Sequence, residues 1–451
     1  MDEASRGPIK NRDELADTAA AALALDCIDA GIEAADPSIG IRRHLSLDGS
    51  VLSVGGETYD LADYERVIVV GGGNAAGYAA VAIDELLGEA IDTGRIVTDN
   101  PAETAWIEML PGDHPIPSEA GVNSTRALLA TAESAGEDDL VITLVTGGGS
   151  ALLAAPEDIS LADLKSTTDA LLASGATIHE INAVRKHLSA IKGGQLARRL
   201  APATTIGLLC SDVVGDDESV IASGPLTPDA SSYADALDVL ESYDVDVPPA
   251  VTERLRSGAN GDLSETPTAE ATLFDRVTTH IVASNATATA AVAETARDHE
   301  YTPLVLGSRL RGHAKEVAKV LVGIAEETAT MDQPVDPPAV LVSGGETTVE
   351  LTGDGTGGPN QELAVSAALE LSDEAITLAA VDTDGIDGNS AAAGGLVTSE
   401  TVEDRRRARG AIENNDTEQY LEDVGASIRT GPTETNVNDL HVIVVEDSSS
   451  I

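Results

Sequence analysis

Aromatic side chains are almost missing from this chain. One Trp, one Phe and seven Tyr make up 2 % of 451 residues, so Ala, Val, Leu and Ile must do the packing. Lysine is scarce too, at only Lys10, Lys165, Lys186, Lys192, Lys315 and Lys319; the other basic side chains are Arg. Two cysteines, Cys27 and Cys210, make neither a disulfide framework nor a zinc site. No apolar run reaches the roughly 18 residues of a membrane span, and the N-terminal stretch lacks the apolar core of a signal peptide. These absences predict a soluble, cytoplasmic protein.

Acid is abundant. Against 27 Lys+Arg stand 77 Asp+Glu, a formal charge of −50 spread along the chain. That charge excludes binding to nucleic acid by phosphate neutralisation and disfavours adhesion to anionic membranes. At low ionic strength it would strain a compact fold by self-repulsion. At molar salt the screening length falls to roughly 3 Å and most of that strain disappears. An acidic, lysine-poor surface therefore points to a salt-rich, halophilic setting.

Hydrophobic residues at 42 % are enough for large cores, and at about 150 residues per domain the length predicts two or three domains. The recurring pattern is a short β-branched run, a Gly/Ser/Asp turn, then an amphipathic stretch. Val67–Val70 leads into GGGNAAG, 140–145 into TGGGSALL, 205–210 into SDVVGDD, 340–342 into SGGE and 376–381 into DTDGIDG. This alternation predicts parallel α/β sheets, with ligands outside the carboxyl ends of the strands. The stretch 225–275 is the least regular and reads as a connection. Boundaries are expected at 1–245 for a larger N-terminal domain, 246–335 for a connecting segment and 336–451 for a smaller C-terminal domain.

Several of these turns suit phosphate chemistry. Gly71, Gly73 and Ala76 make a G-x-G-x-x-A turn before a helix, and Asp99 lies near the distance of a ribose-binding acid. Gly147, Gly148, Gly149 and Ser150 leave main-chain amides unshielded after a strand, as in an anion-binding nest, without the lysine of a Walker A loop. Residues 178–200 gather Asn182, Arg185, Lys186, His187, Ser189 and Lys192. A continuous helix would place Arg185, Ser189 and Lys192 near one face. Asp212, Asp216 and Asp217 offer oxygens for a hard cation, Ser223 and Gly224 of the same segment could bind phosphate, and Glu346, Asn360, Glu362, Asp382, Asp384 and Asp387 supply further oxygens and an amide. Cations, bare amides and carboxylates together suit phosphoryl transfer. A Ser–His hydrolase is weaker, because no G-x-S-x-G elbow occurs.

VTGGGSALLAAP, EINAVRKHLSAIKGGQLA, SDVVGDDESVIASGP, SGGETTVELTGDGTGGPNQE, DTDGIDG and TGPTETNVNDL resemble, in that order, the glycerate 2-kinase family with a C-terminal MOFRL domain. PGDHPIP, with His114, is similar to the family's GHP-type segment. The resemblance covers nearly the whole chain and is weakest at 225–275. It implies two three-layer α/β/α domains, a Rossmann-like N-terminal one and a smaller MOFRL one, with the site in the cleft between them. It further implies ATP- and Mg²⁺-dependent phosphorylation of the C2 hydroxyl of D-glycerate to 2-phosphoglycerate.

On that resemblance Lys192 and Arg185 are expected to stabilise the moving phosphoryl group, and Gly147–Ser150 with Ser211 to cradle nucleotide phosphates. Asp212, Glu346 and Asp384 would hold Mg²⁺ or take the substrate proton, while Gly73, Asn74, His114 and Asn360 would contact substrate. The family commonly carries Lys where this chain has Asn74, and Arg where it has Pro359. Lys192, Arg185 and Lys186 are expected to supply the missing cations. Some members carry an older label of hydroxypyruvate reductase. A nicotinamide-dependent reductase and a non-catalytic metabolite-binding relative are the alternatives. A homodimer is compatible with the sequence, and nothing in it demands one.

Overall fold

The computed structural model describes residues 7–447. It divides into two compact units, Pro37–Val282 and a second formed by the chain up to Asp36 together with everything from Ala283 onward. These units cut the chain elsewhere than at 245 and 335. The irregular stretch after 225 is no linker. Its helices Tyr233–Ser242 and Pro249–Ala259 pack with Leu161–Ala173 and Ile178–His187 through Leu164, Leu171, Val184, Tyr233, Val239 and Leu255.

The Pro37–Val282 unit is built on six strands: β1 (Arg66–Gly72), β2 (Thr93–Thr98), β3 (Glu108–Pro111), β4 (Asp139–Val145), β5 (Thr204–Cys210) and β6 (Val277–Ala283). Their spatial order is 3-2-1-4-5-6, the doubly wound order of dinucleotide-type folds. Strands β1 to β5 run parallel. β4 is buried at every position, as expected where helices cover both faces. Helix Glu119–Ala132 covers one face, setting Leu128, Leu129 and Ala132 against Ile68, Val70 and Val141. Helix Ala76–Leu87, the crossover from β1 to β2, packs on the other. Strand order reverses between β1 and β4, the place at which ligands bind in doubly wound sheets.

The other unit has a six-stranded sheet of different character: β7 (Thr302–His313), β8 (Ala339–Thr348), β9 (Ile376–Asp382), β10 (Gly394–Val397), β11 (Ser427–Ile428) and β12 (Asp439–Val445), in the order 7-8-12-9-10-11. Only the β7–β8 pair is parallel; the other four pairs are antiparallel, against the expectation of parallel sheets throughout. The reason is local. β9 and β10 are joined by an eleven-residue loop without a helix, too short for the crossover that parallel strands need.

Alternation along β8 sends Leu341 to one face and Val340 and Val342 to the other. Helices Ala314–Met331 and Pro359–Glu370 cover the first face. The second is covered by Asn285–Asp298 and by Ala19–Ala35, which the sequence pattern did not place in this unit. Ala24, Leu25 and Ile28 of that N-terminal helix pack with Val442 and Val444 of the last strand. Among the described residues no helix is long and apolar enough to cross a membrane.

Candidate active site

In the Pro37–Val282 unit, three expected segments meet at the carboxyl ends of β1, β4 and β5, which are neighbours in the sheet. The loop after β1 is tied to the loop after β4: Thr146 N donates to Gly72 O (3.2 Å), and Asn74 N to Gly147 O (2.8 Å). The glycines are needed for this packing. A Cβ on Gly71 would stand 1.8 Å from Leu144 O, and one on Gly73 would stand 2.1 Å from Thr146 Oγ1. Gly148 has φ +73°, and a Cβ there would meet Asn74 Oδ1 at 1.6 Å. The Asn74 amide is fixed in turn, since its Nδ2 donates to both Asp99 oxygens at 3.0 and 2.8 Å. Asp99 thus already holds the Asn74 amide with one acceptor site of each oxygen.

The nest after β4 already holds an oxyanion, one from the chain itself. Gly148 N donates to the Asp212 carboxylate, and a Cβ on Gly147 would lie 2.4 Å from Asp212 Oδ2. Burial raises the Asp212 pKa, opposed by its own and the Gly148 N–H and by the charge of His114. His114 itself is exposed. Ser211 is buried and its hydroxyl is closed on its own loop, donating to Val213 O and accepting from Val213 N, each at 3.3 Å.

The helix expected to carry Arg185, Ser189 and Lys192 on one face is shorter than that. It starts with a capping box, Thr177 with Glu180, and spans Ile178–His187. Ser189 and Lys192 lie beyond its end. Gly193 (φ +58°) and Gly194 (φ +75°) turn the chain into the next helix, Gln195–Leu200. Lys192 nevertheless reaches the site. Its Nζ donates to Ser150 O at 2.9 Å and Ala222 O at 3.5 Å, and its side chain is buried. Burial, with the nearby Arg185 charge, pushes its pKa down to about 7. The half-buried Arg185 guanidinium makes no hydrogen bond or ion pair among the described residues, and burial lowers its pKa.

Lys186 is not available as a third cation, because it is buried in an ion pair with Asp229 (3.2 Å). His187 points the same way, bonded to Ala183 O and Glu265. The Ser150 and Ser223 hydroxyls are 3.0 Å apart, and Ser223 Oγ donates to Asn182 Oδ1 at 3.0 Å.

The other unit gathers its acids at the carboxyl end of β9 and the start of β12, where Asp382 pairs in register with Asp439. Asp387 caps helix Pro359–Glu370, accepting from the main-chain N–H of Asn360 (3.0 Å) and Gln361 (2.8 Å) and from both side-chain amides. Asn360 Nδ2 also donates to Asp439 Oδ1 (2.7 Å), and Thr347 donates to Asp439 Oδ2 through N and Oγ1, each at 2.7 Å. Asn360 is wholly buried in this network, so it braces the framework and offers no surface to a ligand. Burial and neighbouring acids raise Asp382; burial raises Asp384, and pushes Asp387 up to about 7.

Glu346 is exposed on β8 and Asp384 is half-buried. Among the described residues no group of three or more His, Cys, Asp or Glu is arranged to hold a metal ion. Mg²⁺ commonly takes one or two carboxylates plus phosphate oxygens and water, and Asp384 fits that lesser demand. His441, buried on β12 with Nδ1 3.2 Å from Ser343 Oγ, was not singled out in advance. The signal was there: a lone imidazole in the apolar run DLHVIVV.

Comparison with known proteins comes out consistently. Residues 23–256 match the family described as a domain of unknown function (DUF4147), and residues 339–439 match the MOFRL family. A glycerate 2-kinase of Pyrococcus horikoshii is 38 % identical over 434 residues, covering 94 % of this chain and 97 % of that one. A putative hydroxypyruvate reductase of Agrobacterium vitis is 38 % identical over 427 residues, 92 % of each. The crystal structure of a glycerate kinase from Thermotoga maritima superposes with a TM-score of 0.84 at 35 % identity, covering 94 % of this chain and 98 % of that one.

Proposed function

This chain belongs to the glycerate kinase family with a C-terminal MOFRL domain, and from that premise we propose that it phosphorylates the C2 hydroxyl of D-glycerate, with ATP as donor and Mg²⁺ as the assisting ion. The observation that carries the reading is Arg185, a guanidinium without a partner among the described residues, beside Lys192 and a main-chain nest that already donates to a carboxylate. Transfer of a phosphoryl group needs positioning and positive charge more than covalent chemistry from the protein. Lys192 and Arg185 supply that charge. The amides of Gly147 and Gly148 hold phosphate oxygens, the Gly149 amide being engaged by Thr146 O (3.2 Å), and a phosphate entering the nest takes the place of the Asp212 carboxylate. Asp212, with its pKa raised by burial, is the group that takes the proton of the acceptor hydroxyl in this reading. Gly73 and Asn74, in the loop after β1, and the exposed His114 are the substrate-side residues of this reading. In the other unit Asp384, and at the surface Glu346, are the carboxylates that would hold Mg²⁺.

The reductase reading has less support, because the acid that would bind a ribose already holds the Asn74 amide. The acid surplus supports a cytoplasmic, salt-rich setting for the enzyme. The test is an assay in molar KCl with ATP, Mg²⁺ and D-glycerate, resolving 2- from 3-phosphoglycerate, run beside hydroxypyruvate with NADH or NADPH. The expected product is 2-phosphoglycerate. Nicotinamide oxidation without phosphoglycerate would replace this reading with the reductase, and ligand-induced stabilisation without any product would make the chain a binding protein.

A further inference from the structure

Three successive residues after Ile221 lie in the left-handed region: Ala222 (φ 48°), Ser223 (φ 64°) and Gly224 (φ 64°). Only the third is glycine. Each of the other two costs about 1 kcal/mol or more, and such strain persists where the surroundings impose it. Both are buried, Ser223 completely.

What the turn touches accounts for its shape. Ala222 O accepts from Lys192 Nζ (3.5 Å). Ser223 O and Gly224 O accept from the N–H groups of Gly193 (3.0 Å) and Gly194 (2.8 Å), the two residues that follow Lys192. The Ala222 methyl lies against the nest, 2.7 Å from where a Cβ on Gly149 would be. Ser223 Oγ lies between Ser150 Oγ and Asn182 Oδ1, 3.0 Å from each. With its one proton given to Asn182, Ser223 accepts the Ser150 proton, so the Ser150 hydroxyl has none left to donate to a phosphate and serves as the anchor that ties down the end of the nest.

We propose that the turn Ala222–Ser223–Gly224 is a positioning device of the phosphate site. Ser223 and Asn182 lock the Ser150 hydroxyl, and the turn's carbonyls hold the Lys192 segment against the nest. Ser223 and Asn182 act through Ser150 and are positioning residues. The proposal rests on the phosphoryl-transfer reading for its kinetic test and on geometry alone for its second test.

The deciding variant is Ser223→Gly, because glycine accepts φ +64° and the backbone turn survives. Its melting temperature should stay within about 4 °C of wild type, since relief of strain offsets the lost hydroxyl contacts. Turnover should fall about tenfold, the scale of one or two hydrogen bonds. KM for D-glycerate should move less than about twofold, as befits a group that does not bind substrate. Ser150→Ala should show the same loss, and the double variant no greater one, because both changes cut one chain. Wild-type turnover in Ser223→Gly, a loss confined to KM, or multiplied losses in the double variant would overturn the proposal. If the wild type itself turns over no D-glycerate, the functional reading falls alone. The same cycle, measured by urea unfolding, then decides: non-additive stabilities support the chain and additive ones overturn it.

Discussion

Lys192 has a pKa of about 7 against an ordinary 10.5, because it is buried and faces the Arg185 charge with only carbonyl partners. At pH 7 it is therefore about half protonated. A polyphosphate beside it would favour the charged form and pull a proton from solution. Uptake on ATP binding should be about half a proton at pH 7 and approach one near pH 8.5. Affinity should accordingly fall by up to about tenfold per pH unit above 7 until the pKa of the complex is reached. Calorimetric titration of ATP in two buffers of different ionisation enthalpy reads the uptake directly.

Lys192→Met should abolish the uptake and lower turnover by at least about 100-fold, the scale of losing one charge-stabilising group. Stability carries a matching signature. Between pH 7 and 10.5 the unfolded chain holds this proton and the folded one does not, so stability rises with pH across that window. The rise should flatten in Lys192→Met. An affinity independent of pH from 7 to 9, or equal proton uptake in the variant, would refute the reasoning.

Gly148→Ala places a methyl 1.6 Å from Asn74 Oδ1 at φ +73°; it should destabilise by about 2 kcal/mol or more in urea unfolding and remove nucleotide binding. Burial raises the pKa values of Asp382 and Asp384 and pushes that of Asp387 up to about 7, against about 4 in the unfolded chain. The folded state thus holds more protons, and stability should decline as pH rises from 4 to 7; Asp384→Asn should lessen that decline in melting temperature. A net charge of −50 predicts a melting temperature that climbs between 0.1 and 2 M KCl as the screening length drops below about 10 Å, and a flat response would disconnect the acid surplus from salt.

The strands were legible because each core strand is a β-branched run followed by small residues, and β1, β4, β5, β9 and β12 fall where those runs stand. The glycine turns after β1 and β4 were legible for the same reason, and the structure uses their glycines to pack the two loops together. What the glycines accommodate was not legible: Asp212 and Asn74 lie far from 147–149 in sequence and meet them only once β1, β4 and β5 are side by side. Local patterning is equally silent on why Ala19–Ala35 belongs with strands some four hundred residues later, because an apolar helix face does not name its partner.

The helix that stops at His187 is a different case. No Gly or Pro stands between Arg185 and Lys192, so a periodicity argument ran on past the true end at Leu188, whose N–H closes on the Arg185 and Lys186 carbonyls, and placed Lys192 by the wrong route. Lys192 still arrives beside Arg185 because the turn at Ala222–Gly224 catches the Gly193 and Gly194 N–H groups and fixes the loop. A helix would have fixed Lys192 by one spacing. A loop fixes it by tertiary hydrogen bonds, so substitutions around Ser223, outside the basic segment, should govern where this cation stands.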